Sequence, residues 1–138
     1  MIILKENDLC VKDYLKLREK VKFKDLSNEQ AETALKNSLY IVSAYEDDKL
    51  VGMGRIVGDG VVIDYIQDLI VIPGMQGRGI GRKIIEKLID YVMTTKLEDT
   101  EIMLCLMCAK GREEFYKKFD FIARPTEKLG PGMIRYIK

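Results

Sequence analysis

The sequence predicts a mixed α+β fold, with a central mixed, mostly antiparallel sheet of about six to seven strands flanked by about four helices. Three observations predict it. Strand-like segments separated by turn residues follow one another over residues 39–72, a glycine-rich turn then leads into an amphipathic stretch, and an apolar run ending at Met107 comes after it. The first pattern is an antiparallel meander. The other two make a strand–helix–strand crossover, which joins its strands in parallel and with right-handed connection.

Each element has its own signal. Residues 1–5 are apolar and short, and Asp8 is placed to cap a helix whose apolar positions Leu9, Val11, Leu15, Leu17 and Val21 recur at roughly helical spacing. Ser27-Asn28-Glu29-Gln30 spells a capping box, and Ala31, Ala34 and Leu35 carry a second helix to about Ser38. Residues 39–45 and 49–57, divided by Glu46-Asp47-Asp48, read as a hairpin, and Gly58-Asp59-Gly60 turns the chain into a third strand over 61–72. After the glycine turn, Ile80, Ile84, Ile85, Leu88, Ile89 and Val92 form one stripe of a helix, opposite Lys83, Glu86, Lys87 and Asp90. Residues 101–107 are the candidate for a buried strand parallel to its predecessor. A short helix over 110–118, a strand over 119–124 and an alternating edge strand over 133–137 complete the chain.

Composition narrows the function classes. At 138 residues with 47% apolar content, the chain reads as one domain over 1–138, with a single core and a cleft. Its 23 basic and 22 acidic residues leave a net charge of +1, which provides no broad field for a nucleic-acid backbone. No apolar run approaches the roughly 20 residues that span a bilayer, and the apolar start is too short for a signal-peptide core, so no membrane partner is expected and the chain reads as cytoplasmic. Cys105 and Cys108 form a C-x-x-C, but it lies within the apolar run, the chain has no histidine, and no second ligand pair accompanies it. That pair reads as structural, and no metal site is expected.

The stretch from Asp68 to Lys83 carries the chemistry. Gly77, Gly79 and Gly81 allow positive φ or close approach of backbone to a ligand at the start of a helix, where free N–H groups and the positive end of the dipole favour an anion. Arg78, Arg82 and Lys83 add positive charge around the same turn, which suits a diphosphate. The spelling is not a P-loop, because Ile80 stands where lysine is required after Gly79, and it fits the dinucleotide fingerprint poorly, because the spacing is G-x-G-x-G. Gln76-Gly77-Arg78-Gly79-Ile80-Gly81 is instead a Q-x-x-G-x-G, and it resembles the acetyl-CoA-binding motif of the GNAT superfamily of N-acetyltransferases. The order of elements is similar to the GNAT fold over nearly the whole chain. Glu114-Phe115-Tyr116-Lys117-Lys118-Phe119-Asp120-Phe121 resembles the family's F-Y-x-x-x-G-F segment, with Asp120 in place of glycine at a position suited to a left-handed backbone.

The resemblance implies acetyl-CoA as co-substrate, bound by Leu69, Ile70, Val71, Gln76, Gly77, Arg78, Gly79, Ile80, Gly81 and Arg82. Backbone groups of Leu69, Ile70 and Val71 would pair with the pantetheine amides and offer an N–H to the charge that develops on the carbonyl oxygen. Tyr116 occupies the position of the acid that protonates the departing thiolate. For the base that frees the amine, Asp68 leads, with Asp64 second and Tyr65 acting through water; simple alternation places Asp64, Ile66 and Asp68 on one face of their strand. Leu104 stands near the position where some family members carry a glutamate base. Lys110, Arg112, Lys117 and Lys118 are further candidates for the cofactor's phosphates. The acceptor pocket is expected from residues 18–24 and the loop 128–133, for a small-molecule or peptide amine. Three readings stand: direct acetyl transfer in a ternary complex, a non-catalytic acyl-CoA sensor, and an unrelated phosphate-ligand protein. A homodimer through an edge strand is compatible with each.

Overall fold

The computed structural model describes residues 1–138, in two compact units, Met1–Leu106 and Met107–Lys138. The first unit holds the sheet and three helices: β1 (Ile2–Glu6), α1 (Val11–Lys20), α2 (Asn28–Lys36), β2 (Tyr40–Glu46), β3 (Lys49–Gly58), β4 (Ile63–Val71), α3 (Ile80–Thr95) and β5 (Met103–Leu106). The second holds one short helix, α4 (Glu113–Lys117).

The strands lie in chain order, β1-β2-β3-β4-β5. The first four pair antiparallel, and β4 and β5 pair in parallel across the α3 crossover, as the sequence predicts. The hairpin between β2 and β3 turns at Asp47 and Asp48, both with positive φ, which short polar side chains tolerate. At the start of α2 the capping box is complete, with Ser27 accepting from the Gln30 N–H and Gln30 accepting from the Ser27 N–H. The α1 expectation needs correction: the helix begins at Val11 with Cys10 at the cap position and no side-chain cap, so Asp8 lies outside it.

The core is built on both faces of the sheet. Ile80, Ile84, Ile85, Leu88 and Val92 of α3 are buried on one face, and Tyr14 and Leu17 of α1 on the other. Two glycines of β3 allow α3 to approach. A Cβ on Gly54 would stand 2.8 Å from Leu88 and 3.0 Å from Ile84, and one on Gly52 would stand 2.6 Å from the Ile70 carbonyl oxygen.

Two strand expectations fail in the second unit. Residues 119–124 and 133–137 form no strand, and the sheet has five strands in place of six to seven. Around Pro125 the chain closes a tight loop instead, with Thr126 N–H donating to the Leu129 carbonyl and Arg124 Nε donating to the Gly130 carbonyl. Residues 133–137 are expected as an alternating edge strand, but Met133-Ile134 and Tyr136-Ile137 put apolar residues side by side and all four are exposed, and a strand with no buried face has nothing to fix its register. β5 is shorter than expected and is the last strand of the sheet; Met103 is exposed and the rest only half-buried.

The two glycines of β3 should differ in tolerance. Gly52→Ala meets a backbone carbonyl and should cost more than Gly54→Ala, which meets movable side-chain ends; overpacking of this kind typically costs about 1–3 kcal/mol. Urea unfolding of both variants measures the order.

Candidate active site

The glycine turn is built as a backbone feature. Gly74, Gly77 and Gly79 have φ of 89°, 78° and 80°, in the left-handed region that glycine enters without strain. Gly81 lies inside the first turn of α3 and is not among the positive-φ residues, so only two of the three motif glycines turn the chain. A Cβ on Gly77 or Gly79 would meet nothing within 4 Å, so the turn faces open space. Gly79 is the N-cap of α3, with no side-chain cap and no acidic residue in the first turn. The positive end of a 16-residue helix is thus left to whatever anion approaches it.

The motif side chains are mostly engaged. Gln76 donates from Nε2 to the Val71 carbonyl at 3.0 Å and ties the turn back to β4. Arg78 makes a bidentate pair with Glu46, at 2.6 Å and 3.0 Å, and holds the Glu46 carboxyl below its usual range. Arg82 pairs with Glu86 at 2.8 Å, while Lys83 makes no ion pair. Ile80 is buried and anchors the helix start, so its contribution is its backbone.

β4 supplies an open edge next to that turn. Its pairing with β5 runs from Ile63 opposite Met103 to Ile66 opposite Leu106 and stops, while β4 continues to Val71. Leu69, Ile70 and Val71 therefore have a strand partner only on the β3 side, where Ile70 faces Met53 and Val71 faces Gly52. An extended ligand with amide groups can pair along such an edge.

A β-bulge interrupts the alternation of β4. Arg55 stands opposite Gln67 and Met53 opposite Ile70, so Gly54 faces two residues, Asp68 and Leu69, and Asp68 has φ of 55°. The expectation that Asp64 and Asp68 share a face is corrected by this bulge. Asp64 lies two residues from Ile66, opposite Gly58, whereas Asp68 reaches the face that carries Arg55.

There Asp68 is the centre of a buried network. Its Oδ1 accepts from Arg18 Nη1 at 2.7 Å, and its Oδ2 accepts from Arg55 Nε at 2.9 Å and from the Tyr14 hydroxyl. The Asp68 side chain is 1% exposed and each arginine 11%. Burial, reinforced by the Asp68 carboxylate, pushes the Tyr14 phenol up. The network residues Tyr14, Arg18 and Arg55 line a cavity of about 580 Å³, with Gln67 of β4, Leu26 and Ser27 before α2, and Glu29, Gln30, Thr33 and Ala34 on it. Of the expected acceptor segment 18–24, Arg18 lines this cavity; Phe23 stacks under the Arg18 guanidinium at 5.3 Å and the Lys24 carbonyl accepts from its Nη2 at 2.9 Å.

Asp64 is separate. It is fully buried, its Oδ1 accepts from the Gly60 N–H at 3.1 Å, and its Oδ2 has no partner. Burial pushes its carboxyl up, against the opposing effect of the Gly60 bond.

Tyr116 belongs to the second unit. It sits on α4 in edge-to-face contact with Phe115 at 5.1 Å and Phe121 at 6.0 Å, and burial pushes its phenol up. Asp120 has φ of 67°, the left-handed backbone inferred for it from the motif. Of the basic residues near α4, Lys117 pairs with Glu114 at 3.3 Å, and Arg112 lies over the Phe115 ring at 4.8 Å.

Residues 8–121 match the model of the Acetyltransferase (GNAT) family. The chain belongs to the GNAT acetyltransferase family. A GNAT-family acetyltransferase from Streptococcus pneumoniae is 30% identical, with a TM-score of 0.82, and the match covers 100% of this chain and 99% of that one. A Staphylococcus aureus protein of unknown function, termed a probable acetyltransferase, is 33% identical with a TM-score of 0.85, again over 100% and 99% of the two chains. Histone acetyltransferase TAP1 of Glycine max is 30% identical over 129 residues, 86% of this chain and 54% of that protein. The chain thus spans about half the length of that curated relative.

Two variants test the buried carboxylates. Asp68→Ala leaves two guanidinium groups buried without their counter-charge and should cost roughly 3–5 kcal/mol in denaturant unfolding. For Asp64, a raised native pKa means that the native state holds the proton more tightly than the unfolded chain. Its contribution to stability is then full below the unfolded value near 4 and is lost as pH rises through the raised native value. Asp64→Asn should remove that loss, and melting curves taken from acid to neutral pH should show a flatter profile than wild type.

Proposed function

We propose that this chain transfers an acetyl group from acetyl-CoA to the primary amine of a small molecule or peptide, by direct attack in a ternary complex. The observation that carries the proposal is the continuity of an open β4 edge, a glycine turn facing open space, and an uncapped helix start without acidic residues. Amide groups of a pantetheine arm match the first, and a diphosphate matches the other two. Acetyl-CoA supplies an activated thioester. The chain supplies Leu69, Ile70 and Val71 as the edge, and Gln76 to Arg82 as the anion cradle. One domain over 1–138 is the unit of function in this reading.

The proton inventory assigns different roles to the two named residues. Asp68 already accepts three hydrogen bonds, two of them from guanidinium groups, so it acts as a positioning residue that fixes Tyr14, Arg18 and Arg55 along the cavity. An alkylammonium, with a pKa near 10, would then lose its proton to water and not to Asp68. Tyr116 keeps its proton across the same range because burial raises its phenol, as an acid for a departing thiolate requires. The saturation of Asp68 also favours a second reading, an acyl-CoA sensor that binds the ester without turnover.

The decisive experiment is a thermal-shift titration with acetyl-CoA, CoA, ATP and NAD in parallel, since a ligand of the native state raises the melting temperature. Stabilisation by the CoA ligands alone supports the proposal; a larger response to ATP or NAD overturns it. An amine panel then separates enzyme from sensor. In the enzyme, turnover should rise with pH as the acceptor loses its proton and should not fall below about pH 10, where an ordinary phenol would begin to ionise. Tyr116→Phe should lower kcat by about 10- to 100-fold with acetyl-CoA affinity nearly unchanged.

A further inference from the structure

The cavity beside Asp68 carries more positive than negative charge on its inner wall. Arg18 and Arg55 face it with side chains 11% exposed, and the one carboxylate between them is Asp68. The donors are not all used. Arg18 directs Nη1 to Asp68 and Nη2 to the Lys24 carbonyl, but its Nε is buried with no partner. Arg55 spends Nε on Asp68 and Nη1 on the Ser38 hydroxyl at 3.2 Å. The lining also includes Ser27, Glu29 and Gln30 at the start of α2, where the helix dipole is positive.

Asp68 lies behind the two arginines, and Glu29 is the acidic residue on the lining itself, where it is exposed. Water screens its charge, whereas the guanidiniums act from a drier wall where Coulomb interactions are stronger. A wall with two guanidiniums and a single buried carboxylate between them, on which Arg55 Nη2 makes no hydrogen bond, offers nothing to a plain alkyl chain and repels a second ammonium. It fits a planar or tetrahedral oxoanion, which guanidinium groups bind through paired N–H donors. The volume, about 580 Å³, is that of a small-molecule site.

We infer that the acceptor is a small amine that also bears a carboxylate or phosphate, received by the Arg18 and Arg55 wall of this cavity; the inference rests on the acetyltransferase reading. The amine is the nucleophile, and the oxoanion is the handle by which the chain selects and orients it.

Calorimetric titration of the CoA-loaded protein with matched pairs tests this: phenylalanine against phenethylamine, and phosphoethanolamine against ethanolamine, with putrescine as the dication. Each anionic member of the preferred pair should bind about tenfold or more tightly than its neutral-tailed partner, and the better pair tells carboxylate from phosphate. Thr33→Glu on the exposed lining of α2 should weaken that binding several-fold where Thr33→Gln does not, and Glu29→Gln should strengthen it. Equal or tighter binding of phenethylamine, ethanolamine or putrescine, no binding by any of the five, or indifference to Thr33→Glu would overturn the inference. CoA binding, read in the same series, keeps the two readings apart. A protein that binds CoA without anion preference loses this inference alone, and one that binds no CoA loses both.

Discussion

A single carboxylate ties the first helix to the sheet. Asp68 is placed by a bulge, in a left-handed conformation that costs a non-glycine residue of order 1 kcal/mol or more, and it is almost wholly removed from water. Each cost is offset by the same three donors, from Tyr14 and Arg18 of α1 and Arg55 of β3. The buried residues of α1 are few, Tyr14 and Leu17, so the ion network carries a large share of its attachment. Because Arg18, Arg55 and Tyr14 also line the cavity, the bond that holds the helix is the one that shapes the candidate acceptor site.

The bulge links both halves of that site. Two residues of β4 oppose Gly54, which has no side chain to resist either the bulge or the approach of Leu88 and Ile84 of α3. On one face this lets α3 sit close to the sheet with its N-terminus at the glycine turn. On the other it turns Asp68 toward α1. The strand then runs past the end of its pairing with β5, and its last residues present backbone groups on the edge. Local strain and close helix packing therefore meet at one irregularity over Gln67 to Leu69, and the open edge begins where β5 ends, at Leu106 opposite Ile66.

What the sequence made legible was whatever is local. The capping box at Ser27, the aspartate turn at Asp47 and Asp48, the α3 stripe and the glycine turn each depend on neighbours within one helical turn or one hairpin, and each was readable. The buried network was not. It joins residues 13 to 54 positions apart, and it requires a break in the period of two on which strand reading relies. Arg55, the one charged residue in the buried middle of β3, was the one available signal, since a charge there demands a partner. The strands expected over 119–124 and 133–137 failed for the converse reason. Both segments are rich in apolar and aromatic residues, but those of the last one stay exposed, and composition without burial does not hold a strand.

The arginines of the turn and those of the cavity are paired in different senses. Arg78 is bound to Glu46 with its side chain 50% exposed, and Arg82 to Glu86 with 65% exposed. Pairs that water reaches are weakened by screening, so a diphosphate arriving at the turn can draw these guanidiniums away more readily than it could a buried pair. Arg18 and Arg55 have no such freedom, because withdrawing either from Asp68 would strand a charge in a dry environment, where breaking a pair costs roughly 3–5 kcal/mol. The turn can therefore re-pair around a ligand that comes and goes, while the cavity wall is fixed before any ligand arrives. A fixed wall selects by complementarity to its existing donors, and an exchangeable one binds whatever anion the backbone has already positioned. That division agrees with the proposed function, in which one common cofactor would be met at the glycine turn and amines would be discriminated at the cavity.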